Sequence, residues 1–374
     1  MTALDPTEKL ARIRLARTQP IGPVAFHQLL GRFGSARAAL SALPELAQRG
    51  GRRAPLRIAS SADAERELDA HARLGAQLLA CGEPGYPAPL TALEDAPPLL
   101  TVRGDVGLLA RRCVAIVGAR NASVNGRRFA EMLARELGAA GWCVVSGLAR
   151  GIDGAAHQGA LDTGTVAVVG GGADVVYPRE HAALQDAVAT RGAVVAENPL
   201  GTEPRAWHFP RRNRVISGLS LGVVVVEAAL KSGSLTTARF AADQGREVFA
   251  VPGSPLDPRC RGSNGLIRDG AHLVEGAADV IGVLGTLHAS GDFAAPREAR
   301  PAPAEHVDPS GEIDLDEARA AVLEMLDPHP VPVDELVRRC QLSPAALMTA
   351  LLELELAGRV LRHSGNRVAR VMDA

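Results

Sequence analysis

Lysine is almost missing from this chain of 374 residues. Lys9 and Lys231 are the two it has, and arginine supplies the rest of 41 basic side chains, set against 42 acidic ones. A formal charge of −1 excludes a uniformly basic, histone-like partner of nucleic acid, so any surface for a polyanion has to be local. Aromatic residues are also scarce, at 3%, which makes two rings close together a signal rather than background. No run of eighteen apolar residues occurs, which argues against a membrane-spanning helix. The opening MTALDPTEKLARIRL has neither the apolar stretch nor the small-residue cleavage site of a secretory leader, and the expected location is cytoplasmic. The five cysteines (Cys81, Cys113, Cys143, Cys260 and Cys340) are scattered and form no CxxC pair. Neither a disulfide framework nor a zinc ribbon is expected, and buried free thiols are. Neither GxGxxG nor GxxxxGKS/T is present, so a dinucleotide site has little support, ATP hydrolysis has none, and no cofactor or metal is expected.

What is present is a composition 47% apolar, enough for at least one large core. Charge and proline usage divide the chain into a helical stretch over 1–80, an extended connector over 81–110, a central domain over 111–284, a linker over 285–314 and a final domain over 315–374. The linker stretch has two basic and six acidic residues, four prolines and little to bury, and reads as flexible. In the first stretch, Gly22-Pro23 opens one helix, Gly34-Ser35 separates it from the next, and a third is expected over 62–80. Paired helices with a glycine-rich entry suit a helix-hairpin-helix or sterile-alpha-motif-like bundle, or a plain helical packing unit.

The central domain has a rhythm. Apolar β-rich runs at 113–118, 142–147, 165–170, 192–197, 222–228 and 246–253 alternate with helical segments at 126–140, 154–161, 180–189 and 234–244. Strands apolar on both faces, separated by helices, indicate an α/β domain with a parallel sheet covered on both sides. Such sheets bind ligands outside the carboxyl ends of their strands, so the loops there are where function is to be sought.

Five loops qualify. After the first strand, Gly118 permits close backbone approach, and Arg120 suits either a phosphate or a surface carboxylate. After the second, Ser146-Gly147-Leu148-Ala149-Arg150-Gly151-Ile152-Asp153 makes an anion-receptive turn before a helix. Asp153 there is placed to cap, and His157, one turn on, has no nucleophile or ligand set nearby in sequence. After the third, Gly170-Gly171-Gly172 leads to Tyr177, which could stack on a base or close the core. The fourth, Arg205 to Arg214, holds Arg205, Arg211, Arg212 and Arg214 among Trp207, His208 and Phe209. Cations beside rings are the composition of a single-strand groove, and equally of a basic helix start with its rings turned inward. The fifth, Lys231-Ser232-Gly233-Ser234, offers hydroxyls, backbone N–H groups and one of the chain's two lysines at a helix start.

Taken together, VGAR (117–120), SGLARGID (146–153), GGGADVVYP (170–178), FPRRNRVISGLS (209–220), SGSLTTA (232–238), GREVFAVPG (245–253) and GSNGLIRDGA (262–271) resemble the DNA-processing protein A family, also called DprA or Smf. The resemblance implies an extended Rossmann-type domain with a homodimeric assembly and a basic pocket for single-stranded DNA. It implies a role in natural transformation and homologous recombination, protecting incoming DNA and loading a RecA-type recombinase past single-strand binding protein. Carried over by motif, DNA contact falls to Arg120, Ser146, Gly147, Arg211, Arg212, Asn213, Arg214, Lys231, Ser232, Gly233 and Ser234, with Arg150 at a variable point of its motif.

The last sixty residues read as three helices (316–327, 332–340 and 344–357) followed by two short strands, a winged helix. Its second motif helix, SPAALMTALLELELAG, has two acidic residues and no basic one. This disfavours duplex reading and points to protein contact or regulation, with Arg359, Arg362, Arg367 and Arg370 leaving a phosphate-contacting wing open. Two rival functions stand beside the non-enzymatic binder. One is a nucleotide-binding or nucleotide N-glycosidase-type enzyme of a related Rossmann-type fold, with Glu227 or Asp153 as acid; SGSLTTA is not the Pro-Gly-Gly-x-Gly-Thr loop of such enzymes. The other is a scaffold between repair proteins.

Overall fold

The computed structural model of the protein describes residues 4–289, 315–363 and 365–371. In chain order the helices and strands are α1 (Pro6–Arg17), α2 (Pro23–Phe33), α3 (Ala36–Arg49), α4 (Ser61–Leu74), β1 (Ala76–Ala80), α5 (Ala88–Thr91), β2 (Leu99–Gly104), β3 (Cys113–Val117), α6 (Val124–Ala139), β4 (Cys143–Ser146), α7 (Ile152–Ala160), β5 (Thr165–Val168), α8 (Ala182–Arg191), β6 (Ala193–Ala196), α9 (His208–Leu219), β7 (Gly222–Val225), α10 (Gly233–Asp243), β8 (Glu247–Ala250), α11 (Arg261–Arg268), β9 (His272–Leu273) and α12 (Ala277–Ala289). After residue 314 follow α13 (Leu315–Met325), β10 (Val331–Pro332), α14 (Val333–Cys340), α15 (Pro344–Leu356), β11 (Val360–His363) and β12 (Arg367–Arg370).

The chain divides into two bodies: residues from 67 through α12, and residues 4–66 with 315–371. In the first, nine strands among the described residues form one sheet in the order β1-β2-β6-β5-β4-β3-β7-β8-β9. From β6 to β9 all pairings are parallel. The alternation of side chains explains why both faces need cover. Cys113, Ala115 and Val117 of β3 enter one apolar core, while Val114 and Ile116 enter the other. All six strands expected in the central domain are present.

Two expectations need correction. The third helix stops at Leu74 rather than reaching residue 80, because Gly75 takes a left-handed φ of 67° that ends it. AQLLA then pairs antiparallel with β2, and β2 with β6, so the extended segment over 81–110 runs onto the sheet's edge, in keeping with an extended connector. Residues 285–289 belong to α12 rather than to the linker. The rest of the linker, 290–314, lies outside the described residues.

In the second body, Phe26, Leu29 and Leu43 of α2 and α3 share one core with Leu352 and Leu356 of α15. The other side of α15 supplies Leu347, Leu351 and Leu354 to the winged-helix core, against Val322 of α13 and Leu336 of α14. The three-stranded wing runs β10-β12-β11. The helix in the recognition position is thus buried on both sides. Its acidic residues are not a repulsive surface, which corrects the reason given for doubting duplex reading: Glu353 accepts from Arg319, and Glu355 from Arg362 at 2.9 Å.

Candidate nucleic-acid interface

The loops after β3, β4 and β7 meet at the carboxyl edge of the sheet, and α9 lies across them beside α10. This helix begins at His208, and Pro210 is tolerated in its first turn because the N–H it lacks has no intrahelical partner there. Successive residues on a helix point about 100° apart, so the arginines of α9 go different ways.

Arg211 is exposed, with its guanidinium carbon 5.8 Å from the centroid of the Trp207 ring, which is itself 53% exposed. Arg120 reaches from the β3 loop to stand 5.1 Å over the half-buried ring of Phe209, and Phe209 in turn lies 5.6 Å from the half-exposed Tyr177. Neither Trp207 nor Tyr177 is enclosed in the core. Asn213 donates from Nδ2 to the carbonyl of Gly233 at 3.3 Å, fastening α9 to the start of α10. There Ser232 caps the helix, its Oγ accepting from the Ser234 N–H at 3.4 Å and lying 2.7 Å from the Ser234 hydroxyl. Lys231 is exposed beside this turn, with no carboxylate partner among the described residues. Arg120, Arg211, Asn213, Lys231, Ser232, Gly233 and Ser234 are therefore brought to one edge.

Other residues expected to touch DNA lie beneath that edge. Arg212 is 7% exposed, and its Nη1 donates to the carbonyls of Gly147 (2.5 Å) and Val168 (2.6 Å), binding the ends of β4 and β5 together. Burial lowers its pKa to about 10. Arg214 points into the body instead, pairing with Glu197 at 2.5 Å and donating to the carbonyl of Asp95 at 2.5 Å. Ser146 is fully buried and donates to the carbonyl of Ile116 at 2.6 Å. These three side chains hold the edge in shape and are not presented to solvent. Gly118 and Gly147 form its floor. At Gly147 a Cβ would stand 2.2 Å from Arg212 Nη1 and 2.7 Å from an Asp153 oxygen, so no side chain fits. Arg150 pairs instead with Glu180 at 2.5 Å, in a groove that Arg120 also lines.

The residues considered as acids are engaged structurally. Glu227 accepts from the Ser123 N–H (2.9 Å) and hydroxyl (2.6 Å), tying β7 to the start of α6. Asp153 is buried, which raises its pKa despite the nearby Arg212 guanidinium. His157 is fully buried with Nδ1 at 2.7 Å from the Thr165 hydroxyl, which donates its own proton to the carbonyl of Val144. The imidazole must then donate from Nδ1, leaving Nε2 bare and without a partner. Burial, His181 and Arg212 lower its pKa to about 3, so it is neutral. Among the described residues no group of His, Cys, Asp and Glu could hold a metal ion, and no helix is long and apolar enough to cross a membrane.

Sequence reasoning missed the inward turn of Arg212 and Arg214, and it missed Arg127 and Arg128, which stand exposed on α6 beside Arg120. The adjacent pair in the sequence was the available signal for the latter.

The chain is similar to known proteins along most of its length. The family described as DNA recombination-mediator protein A matches residues 77–285, a DprA-like N-terminal HHH domain matches 6–70, and a DprA winged helix domain matches 298–366. The DNA processing protein DprA of Bacillus subtilis is 43% identical over 219 residues, covering 58% of this chain and 74% of that protein. An X-ray structure of DNA processing protein A from Streptococcus pneumoniae superposes with a TM-score of 0.62 at 34% identity, covering 75% of this chain and 98% of that one. The same protein from Helicobacter pylori, described for its unique single-stranded DNA binding mode, gives a TM-score of 0.52 at 30% identity over 56% of this chain and 96% of that one.

Proposed function

This chain belongs to the DNA recombination-mediator protein A family, and on that premise we propose that it binds single-stranded DNA along the carboxyl edge of its sheet, without catalysis. The observation that carries the reading is the row of exposed cations beside rings on one edge: Arg211 on Trp207, Arg120 on the half-buried Phe209 with Tyr177 next to that ring, and Lys231 beside the capped start of α10. Cations follow a phosphodiester backbone, and rings accept bases that a duplex would keep stacked. Glu227, held by the Ser123 N–H and hydroxyl, is engaged structurally, which favours a binder over a glycosidase that would use it as the acid. In this reading the protein acts in the cytoplasm as a homodimer. It protects incoming DNA in transformation or recombination and passes it to a RecA-type recombinase, displacing single-strand binding protein.

The test is binding of the full chain to labelled oligothymidylate across a salt series. Lys231→Ala and Arg211→Ala are each expected to weaken binding to all sequences and to make the salt slope shallower by about 0.7. Trp207→Ala is expected to lose about 1–3 kcal/mol from the stacked base. Unchanged affinity and slope in Lys231→Ala and Arg211→Ala would remove the site. A second arm times recombinase assembly on a strand coated with single-strand binding protein. No acceleration by this protein would remove the hand-over.

A further inference from the structure

Beside this edge lies a groove of about 480 Å³, between the start of α6 and the start of α7. Arg120 belongs to both places: its guanidinium stands over Phe209 at the edge, and it also lines the groove. Arg127 and Arg128 of α6 line the groove and are exposed. The two carboxylates of the groove are already matched, Glu131 by Arg135 at 2.6 Å and Glu180 by Arg150 at 2.5 Å. Arg127 and Arg128 have no ion pair among the described residues, so two unmatched guanidiniums face this groove beside Arg120, whose charge also acts on the buried Asp153.

Their position sharpens the point. They follow the start of α6, the positive end of that helix, whose first turn holds no acidic residue. Ser123 Oγ accepts from the Gly126 N–H at 2.8 Å and Glu227 from the Ser123 N–H at 2.9 Å, so that end already holds a carboxylate, and the guanidiniums rather than the helix end are the receptor. Both guanidiniums are exposed and available to grip phosphate oxygens through paired N–H groups. Farther along, Arg128 borders a depression that includes Met132, which is 40% exposed and offers an apolar rest for a base.

We propose that this groove is a second track for single-stranded DNA, taking up the phosphodiester backbone where it leaves the edge past Arg120. The inference rests on the binding site proposed above and extends it along α6, so it predicts a dependence on strand length. An oligothymidylate of about 6 nucleotides fits the edge alone, and one of about 20 exceeds a single site and reaches the groove. In the full chain, the pair Arg127→Gln and Arg128→Gln is expected to leave the short oligomer's affinity unchanged. It should weaken the long one about tenfold and lower the long one's salt slope by about 1.4, that is, about 0.7 for each of two lost phosphate contacts. Arg127→Lys with Arg128→Lys is expected to keep the slope. Unchanged binding of the long oligomer, or an equal loss at both lengths, overturns the second track. If at the same time Lys231→Ala weakens both lengths, the edge stands and only the track falls; if the unaltered protein binds neither oligomer, both readings fail.

Discussion

Arg211 and Arg212 are neighbours on one helix with opposite tasks. The first stacks on an exposed indole, and the second bridges two backbone carbonyls beneath the surface. The arginine-rich sequence marks the helix as important but cannot say which guanidinium faces water, because that depends on how α9 is rotated against β4 and β5. Beneath them, His157 offers a measurable consequence. Its pKa is about 3 in the folded protein against an ordinary 6.5, so the native state binds fewer protons than the unfolded one across that interval. The associated stability is complete above pH 6.5 and is lost as pH falls toward 3, by of the order of 5 kcal/mol. Asp153, whose pKa is raised by burial, acts in the opposite sense, and comparison with His157→Gln isolates the histidine because both proteins retain the aspartate. Denaturant unfolding at pH 7 and pH 5 is expected to show a larger loss in the parent than in His157→Gln. Equal losses would mean that the histidine is not buried neutral.

At the scale of elements, α15 has the placement of a DNA-reading helix and the surroundings of a core helix. Glu353 is fully buried against Arg319, which is itself 9% exposed. Arg319 has a second carboxylate, Asp316, whereas Glu353 is held by Arg319, so removing Arg319 leaves Glu353 as an unpaired buried charge, a loss of about 3–5 kcal/mol. Arg319→Ala is therefore expected to speed hydrogen exchange of the α15 amides by at least a hundredfold. Glu353→Leu combined with Arg319→Met is expected to restore much of the protection. Slow exchange in Arg319→Ala would contradict the burial described. The sequence announced the helix itself through Ser343-Pro344 and its apolar spacing. It could not announce the double burial, since Leu352 and Leu356 meet partners more than three hundred residues away, on α2 and α3. The six central strands were legible for the opposite reason, since each is apolar on both faces and needs no knowledge of its partner. AQLLA was misread because its apolar residues continue the spacing of α4, and only Gly75 marks the break.

At the scale of the molecule, the two ends of the chain share a body, although the whole nine-stranded sheet lies between them in sequence. A protease site inserted within 290–314 tests this directly. After cleavage of the full chain, the winged helix is expected to co-elute with the remainder in gel filtration, held by the core around Leu29, Leu43, Leu352 and Leu356. Separate elution would show that the two ends do not hold each other without the covalent connection. The same arrangement bears on biosynthesis. Helices α2 and α3 leave the ribosome early, yet the leucines that complete their core are translated some three hundred codons later, about 15–60 s at ordinary elongation rates. During that interval the nascent N-terminal segment displays an apolar face to the cell, and it becomes whole only when the last helix is released.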